Sequence, residues 1–136
     1  AHASATAGGD TRILGDRRGV PWIIGIRHPD EPDGIVTRLP IIDEAVSTSG
    51  DYERFFIADG ARYHHILDPA SGLPTEGVRS VTVLGPDGTM TDGLSTSVFV
   101  LGVPAGLHQI ESMPAYEAVI IDDQGQLHYS SGLSGY

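Results

Sequence analysis

MTDGLSTSVFVLG, the run from Met90 to Gly102, is the stretch on which the reading of this chain turns. Leu94, Val98 and Leu101 recur at helical period, which predicts a helix with a buried apolar stripe. Gly102, followed by Pro104, predicts its end. Asp92 and Thr96 stand four residues apart, so a helix would stack a carboxylate and a hydroxyl on one face, one turn apart. Two oxygens so placed suit a hard cation such as Mg2+, which prefers oxygen ligands and bridges to phosphate. An aspartate near a helix start equally suits a plain cap, complementing the dipole and the free N–H groups. Spacing alone leaves both readings open.

Length and composition bound the rest. A chain of 136 residues suits one domain, and its 40% hydrophobic content supports an ordinary core. Eight Lys+Arg against 18 Asp+Glu leave a formal net charge of −10, which argues against nucleic acid or an anionic membrane surface as partner. The absence of cysteine excludes disulfides and thiolate metal sites. Nothing approaches the roughly 18 consecutive apolar residues of a membrane-spanning helix. The sequence opens on Ala1, without Met or a signal segment, and so reads as a piece of something longer.

Upstream of the helix the signals are those of strands and turns. Ala1 to Ala7 reads as a buried strand running into a Gly8-Gly9 turn. Val20 to Arg27 and Ile35 to Ile42 read as strands around a proline-rich loop, with Pro40 pointing to an edge or bulge. Ser47, Thr48 and Ser49, closed by Gly50, offer hydroxyls either to a polar ligand or to a turn. Asp59-Gly60 between two β-prone runs predicts a hairpin. Its second arm carries His64 and His65, which must point to opposite faces of a strand, one inward and one exposed. Val78 to Leu84 is a strand, Ala105 to Met113 a second helix, and Tyr116 to Ile121 with Gln126 to Tyr129 a closing hairpin. The order predicts a single α+β domain with a mostly antiparallel sheet and two helices inserted before the last hairpin.

Five motifs then occur in series: Gly8-Gly9-Asp10, Pro21-Trp22-Ile23-Ile24-Gly25-Ile26, Ser47-Thr48-Ser49-Gly50-Asp51-Tyr52, His65-Ile66-Leu67-Asp68-Pro69-Ala70-Ser71-Gly72 and Thr91-Asp92-Gly93-Leu94-Ser95-Thr96. Each is weak alone; together and in this order they closely resemble the C-terminal half of the ApbE family, the FAD:protein FMN transferases. The resemblance covers nearly the whole chain. It implies a T-fold-like α+β domain that binds FAD. The activity it implies is Mg2+-dependent transfer of FMN from FAD to a threonine hydroxyl of an acceptor flavoprotein, with AMP released. It places the metal on Asp92 and Thr96 and the catalytic base on His65, with Ser47, Thr48, Ser49, Gly50, His65 and Asp68 around the FAD. Asp68 is expected either to orient the imidazole or to cap the following turn.

Two departures stand out. Gly93 takes the place where the family usually has Ala, and the glycine-rich N-terminal half of the family is missing from these residues. That half is expected as a partner, either continuous with this chain or separate from it. Family analogy implies an exported, lipid-anchored protein. The alternatives are an FAD pyrophosphatase and a flavin-binding module without catalysis.

Overall fold

The computed structural model describes residues 2–136, so the first residue of the predicted N-terminal strand lies outside it. Among the described residues, ten strands and one main helix form an α+β fold. In chain order the strands are β1 (Ala3–Ala7), β2 (Asp10–Leu14), β3 (Trp22–Arg27), β4 (Ile35–Ile41), β5 (Ala45–Gly50), β6 (Phe55–Ala58), β7 (Ala61–His64) and β8 (Val78–Gly85). The helix α1 (Gly88–Glu111) follows, then β9 (Glu117–Asp122), β10 (Leu127–Tyr129) and a short 3-10 turn, Ser131–Leu133.

The main sheet has the order β1-β2-β5-β8-β9-β10, and every pairing in it is antiparallel. β3–β4 and β6–β7 are separate two-stranded hairpins. Alternation along the central strands sorts their side chains onto two faces. Val81, Val83, Ala118 and Ile120 face α1, where they meet Leu94, Val98, Phe99 and Ile110. Val46, Leu84 and Val119 face the other way and pack with Ile26, Leu39 and Ile41 of β3–β4. The sheet is thus covered by a helix on one side and a hairpin on the other, which is why β8 is buried along nearly its whole length.

Four expectations are corrected. β1 is exposed at every position; it is an edge strand, because small apolar residues do not reveal which face, if any, is covered. Ala45–Gly50, read from its hydroxyls as a ligand loop or turn, is a central strand. The two predicted helices form one helical element that Gly102 interrupts with φ 77 and ψ 178, a conformation open to glycine. Leu101, just before that break, is 48% exposed, and Phe99 takes its place inside. Before the break the buried stripe is Thr91, Leu94, Ser95, Val98 and Phe99, so two of its five members are hydroxyl residues.

The β6–β7 hairpin has no ladder to the main sheet and is tied to it by charge. Arg79 of β8 donates Nε to Asp51 at 2.8 Å and grips Asp30, in the β3–β4 loop, with both terminal nitrogens at 3.2 and 2.7 Å. Asp51, 5% exposed, also faces Arg62 of β7 at 3.5 Å. Arg62 lies over the Phe55 ring, 4.2 Å from its centroid.

Two predictions follow from this packing. Phe99→Ala should cost about 3–5 kcal/mol, because the ring is wholly buried between α1 and the sheet; denaturant unfolding measures this, and a loss below about 1 kcal/mol would contradict the packing described. The second concerns acid. Hydrogen bonding to Arg79 holds the Asp30 carboxyl below its ordinary 3.8. A carboxyl whose pKa is lower in the folded state contributes stability above its unfolded value and loses it as pH falls through the folded one. Arg79→Gln should therefore be less stable than the parent at about pH 5, and the gap should narrow towards about pH 2. A gap constant with pH would exclude this linkage.

Candidate active site

Helix α1 begins earlier than its sequence signals suggest. Asp87 is the N-cap and accepts a hydrogen bond from the Met90 N–H at 2.9 Å. Asp92 therefore lies within the helix, and the capping role that competed for it belongs to Asp87. Asp92 and Thr96 are both exposed, as four-residue spacing on one helix face requires. Asp92 borders an open depression between the start of α1 and the β1–β2 hairpin, with Thr6, Asp10, Arg12 and Thr89.

Beside this exposed pair, and reaching as far as Thr96, runs a hydroxyl seam against β5. Ser47 Oγ lies 2.9 Å from Thr91 Oγ1, and Ser49 Oγ lies 2.8 Å from Ser95 Oγ and 3.0 Å from Thr96 Oγ1. Thr91 donates to the Gly88 carbonyl at 3.0 Å and Ser95 to the Asp92 carbonyl at 2.8 Å. Each hydroxyl has one proton, so Ser47 donates to Thr91 and Ser49 donates to Ser95. Ser49 is then the acceptor for Thr96. The Thr96 proton points into the seam, and its remaining lone pairs are directed away from Ser49.

The predicted trio of β5 hydroxyls therefore divides. Ser47 is buried and engaged with the helix, while Ser49 orients Thr96. Thr48 points to the other face, where it meets Thr82 at 2.8 Å and lines a cavity against β3 with Thr11, Ile24 and Tyr52. None of Asp92, Thr96 and His65 borders that cavity. Gly50 is buried at the strand end under the Tyr52 ring, and a Cβ there would come within 2.6 Å of it.

The two histidines take the two environments that strand alternation predicts. His64, 7% exposed, has both ring nitrogens engaged: Nε2 donates to the Thr75 carbonyl at 2.9 Å and Nδ1 accepts from the Ile66 N–H at 3.3 Å. Its ring meets Phe99 edge-on, with centroids 5.7 Å apart. His64 and Ile66 thus fasten the segment to α1 one turn beyond Ser95, and His65 between them is exposed. His65 Nδ1 is 3.3 Å from the Arg54 carbonyl. A carbonyl only accepts, so Nδ1 carries the proton and Nε2 presents its lone pair to solvent. Of the two imidazoles, only His65 has a nitrogen free to take a proton.

Asp68 closes the turn that follows. It accepts from the Ala70 N–H and the Ser71 hydroxyl, both at 2.9 Å, and these bonds, the Ala70 bond foremost, lower its pKa. The His65 ring takes its orientation from Arg54 instead. Sequence reasoning quoted Asp51 within a motif but gave it no role, and passed over Arg54, Arg62 and Arg79. Their pairing spans up to 49 residues and leaves no periodic trace.

Among the described residues no three His, Asp or Glu side chains converge on a point that could hold a metal, and no helix is long and apolar enough to cross a membrane. A cation at Asp92 would be completed by hydroxyl, carbonyl, water or ligand oxygens. That all-oxygen set suits Mg2+.

Known proteins resemble this chain in both sequence and fold. Curated relatives called FAD:protein FMN transferase include one from Treponema pallidum, 38% identical over 92% of this chain and 35% of its own length. Another, from Vibrio cholerae, is 38% identical over 95% of this chain and 40% of its own length. The crystal structure of the ApbE protein of Thermotoga maritima superposes with a TM-score of 0.88 at 38% identity, covering 99% of this chain and 44% of that one. The Vibrio cholerae flavin transferase ApbE gives 0.78 at 34% identity, covering 98% and 43%. The chain spans about two fifths of the length of these relatives. With the ApbE family profile matching residues 1–120, the chain belongs to the ApbE family.

Proposed function

We propose that this chain is the C-terminal, catalytic half of a Mg2+-dependent FAD:protein FMN transferase, acting with the N-terminal half of the same protein. The observation that carries the reading is the pair Asp92 and Thr96. Both are exposed one helical turn apart, Asp92 is free of capping, and Thr96 is turned lone pairs outward by Ser49. Bound there, Mg2+ would neutralise pyrophosphate oxygens of FAD and the charge developing on the leaving group.

The chain's own residues do the rest. A threonine hydroxyl of the acceptor flavoprotein attacks the FMN-side phosphorus, so its O–P bond forms as the bond from that phosphorus to the bridging oxygen breaks and AMP leaves. His65 Nε2 takes the threonine proton, while Nδ1–H on the Arg54 carbonyl keeps the tautomer that makes this possible. His64 holds the segment against Phe99 and takes no part in the chemistry. Family analogy supports an exported, lipid-anchored setting for the whole protein.

The intact protein that carries this chain, incubated with FAD, Mg2+ and a threonine-containing acceptor, should give flavinylated acceptor and AMP in equal amounts. AMP without labelled acceptor would instead favour FAD hydrolysis. Asp92→Asn should lower Mg2+ affinity about 10–100-fold and turnover at least as much, with stability within about 0.5 kcal/mol because the side chain is exposed. An unchanged Mg2+ titration would remove Asp92 from the metal site. His65→Gln should slow the chemical step by about 10²–10⁴ while FAD affinity moves by less than about threefold. Equal losses in both would make His65 a binding residue.

A further inference from the structure

The β6–β7 hairpin presents His65, yet little holds it in place. It is two-stranded, has no ladder to the main sheet, and leaves Phe55, Phe56 and Ile57 46%, 62% and 58% exposed. An isolated hairpin of this size is marginal in water. Its fixings are His64 and Ile66, where the chain leaves β7, and the Asp51 carboxylate, ahead of β6.

Asp51 starts the turn that leads into β6. Its N–H donates to the Arg79 carbonyl at 3.0 Å, and its carboxylate lies between Arg79 of the sheet and Arg62 of β7. Three residues on is Arg54, whose carbonyl takes the His65 Nδ1 proton. The register explains that contact. Phe55 pairs with His64, so the residues just outside the ladder, Arg54 and His65, stand opposite each other.

We propose that Asp51 is the positioning residue for His65. By compensating two guanidiniums at once, it anchors both arms of the hairpin to β8 and fixes the Arg54 carbonyl on Nδ1, which leaves Nε2 as the proton acceptor. Without the carboxylate, Arg62 and Arg79 face each other with only Asp30 left on Arg79, and the hairpin is pushed off the sheet. The Arg54 carbonyl then leaves the ring, and the Nε2–H tautomer becomes populated. The catalytic consequence rests on His65 being the base; the structural one does not.

The test uses the intact protein with 15N-labelled histidine, the His65 signals being assigned by their loss in His65→Gln. In the parent, the His65 nitrogens should report a single Nδ1–H tautomer. In Asp51→Asn they should move towards each other as the second tautomer appears, while the His64 signals, assigned by their loss in His64→Gln, stay in place. With the acceptor assay, kcat should fall at least about tenfold and KM for FAD stay within about twofold. Arg62→Gln, which removes only the β7 arm at a partly exposed side chain, should shift the same nitrogens in the same direction by a smaller amount. It decides the matter if Asp51→Asn does not fold. Unchanged His65 nitrogens in a folded Asp51→Asn, or in Arg62→Gln, would overturn the proposal and leave Asp51 a purely structural ion-pair partner. A tautomer shift in Asp51→Asn, alongside full activity of His65→Gln, would uphold the positioning and discard His65 as the base.

Discussion

The seating of α1 on β5 and β8 is the constraint from which the rest of the molecule follows. Half of that contact is ordinary core, with Leu94, Val98 and Phe99 against Val81 and Val83. The other half is a row of hydroxyls, Ser47 and Ser49 against Thr91, Ser95 and Thr96. Each such bond contributes only about 1 kcal/mol net, but a hydroxyl left buried without a partner costs more than that. The seam therefore tolerates only one rotation and one height of the helix on the sheet. Apolar packing supplies the adhesion and the hydroxyls supply the register. The reward lies at the exposed edge of the seam, where Thr96 meets solvent one turn from Asp92.

Much of this was legible in the sequence, for identifiable reasons. Period-two and period-3.6 patterns gave the strands from β3 onward, except β5, and gave the helix, while β2 went unread between its flanking glycine turns. Asp59-Gly60 gave the hairpin, and adjacent positions on a strand gave opposite fates to His64 and His65. What failed to read shares one cause: the information was held in another part of the chain. Ser47, Thr48 and Ser49 look like a turn until a helix is laid along one side of them. β1 looks like core until the order of the sheet leaves it at an edge. Asp87, which follows a proline and precedes a glycine, caps the helix three residues before the run that announces it. The chain of charges from Asp30 through Arg79 and Asp51 to Arg62 joins loops and strands far apart in sequence, and no local pattern announces it.

Membership of the ApbE family gives the arrangement a context. Relatives called FAD:protein FMN transferase are more than twice as long as this chain, yet nearly all of the chain superposes on the solved structures. The oxygen pair, the exposed imidazole and the arginine–aspartate brace all lie within this one α+β unit. What the remaining length of the relatives adds must therefore meet a surface already organised by this chain's own core.

One small feature carries a disproportionate consequence. Asp59 and Gly60 both have positive φ, 50° and 77°, the geometry of a two-residue hairpin turn that permits a single pairing of its arms. Because side chains alternate along a strand, lengthening that turn by one residue would slip the second arm by one place, putting His64 where His65 stands and His65 where Ile66 stands. The ring with both nitrogens occupied would then meet solvent, and the competent one would be buried in the place of Ile66. The identity of the reactive histidine is thus decided by a tight turn several residues upstream, by counting rather than by chemistry.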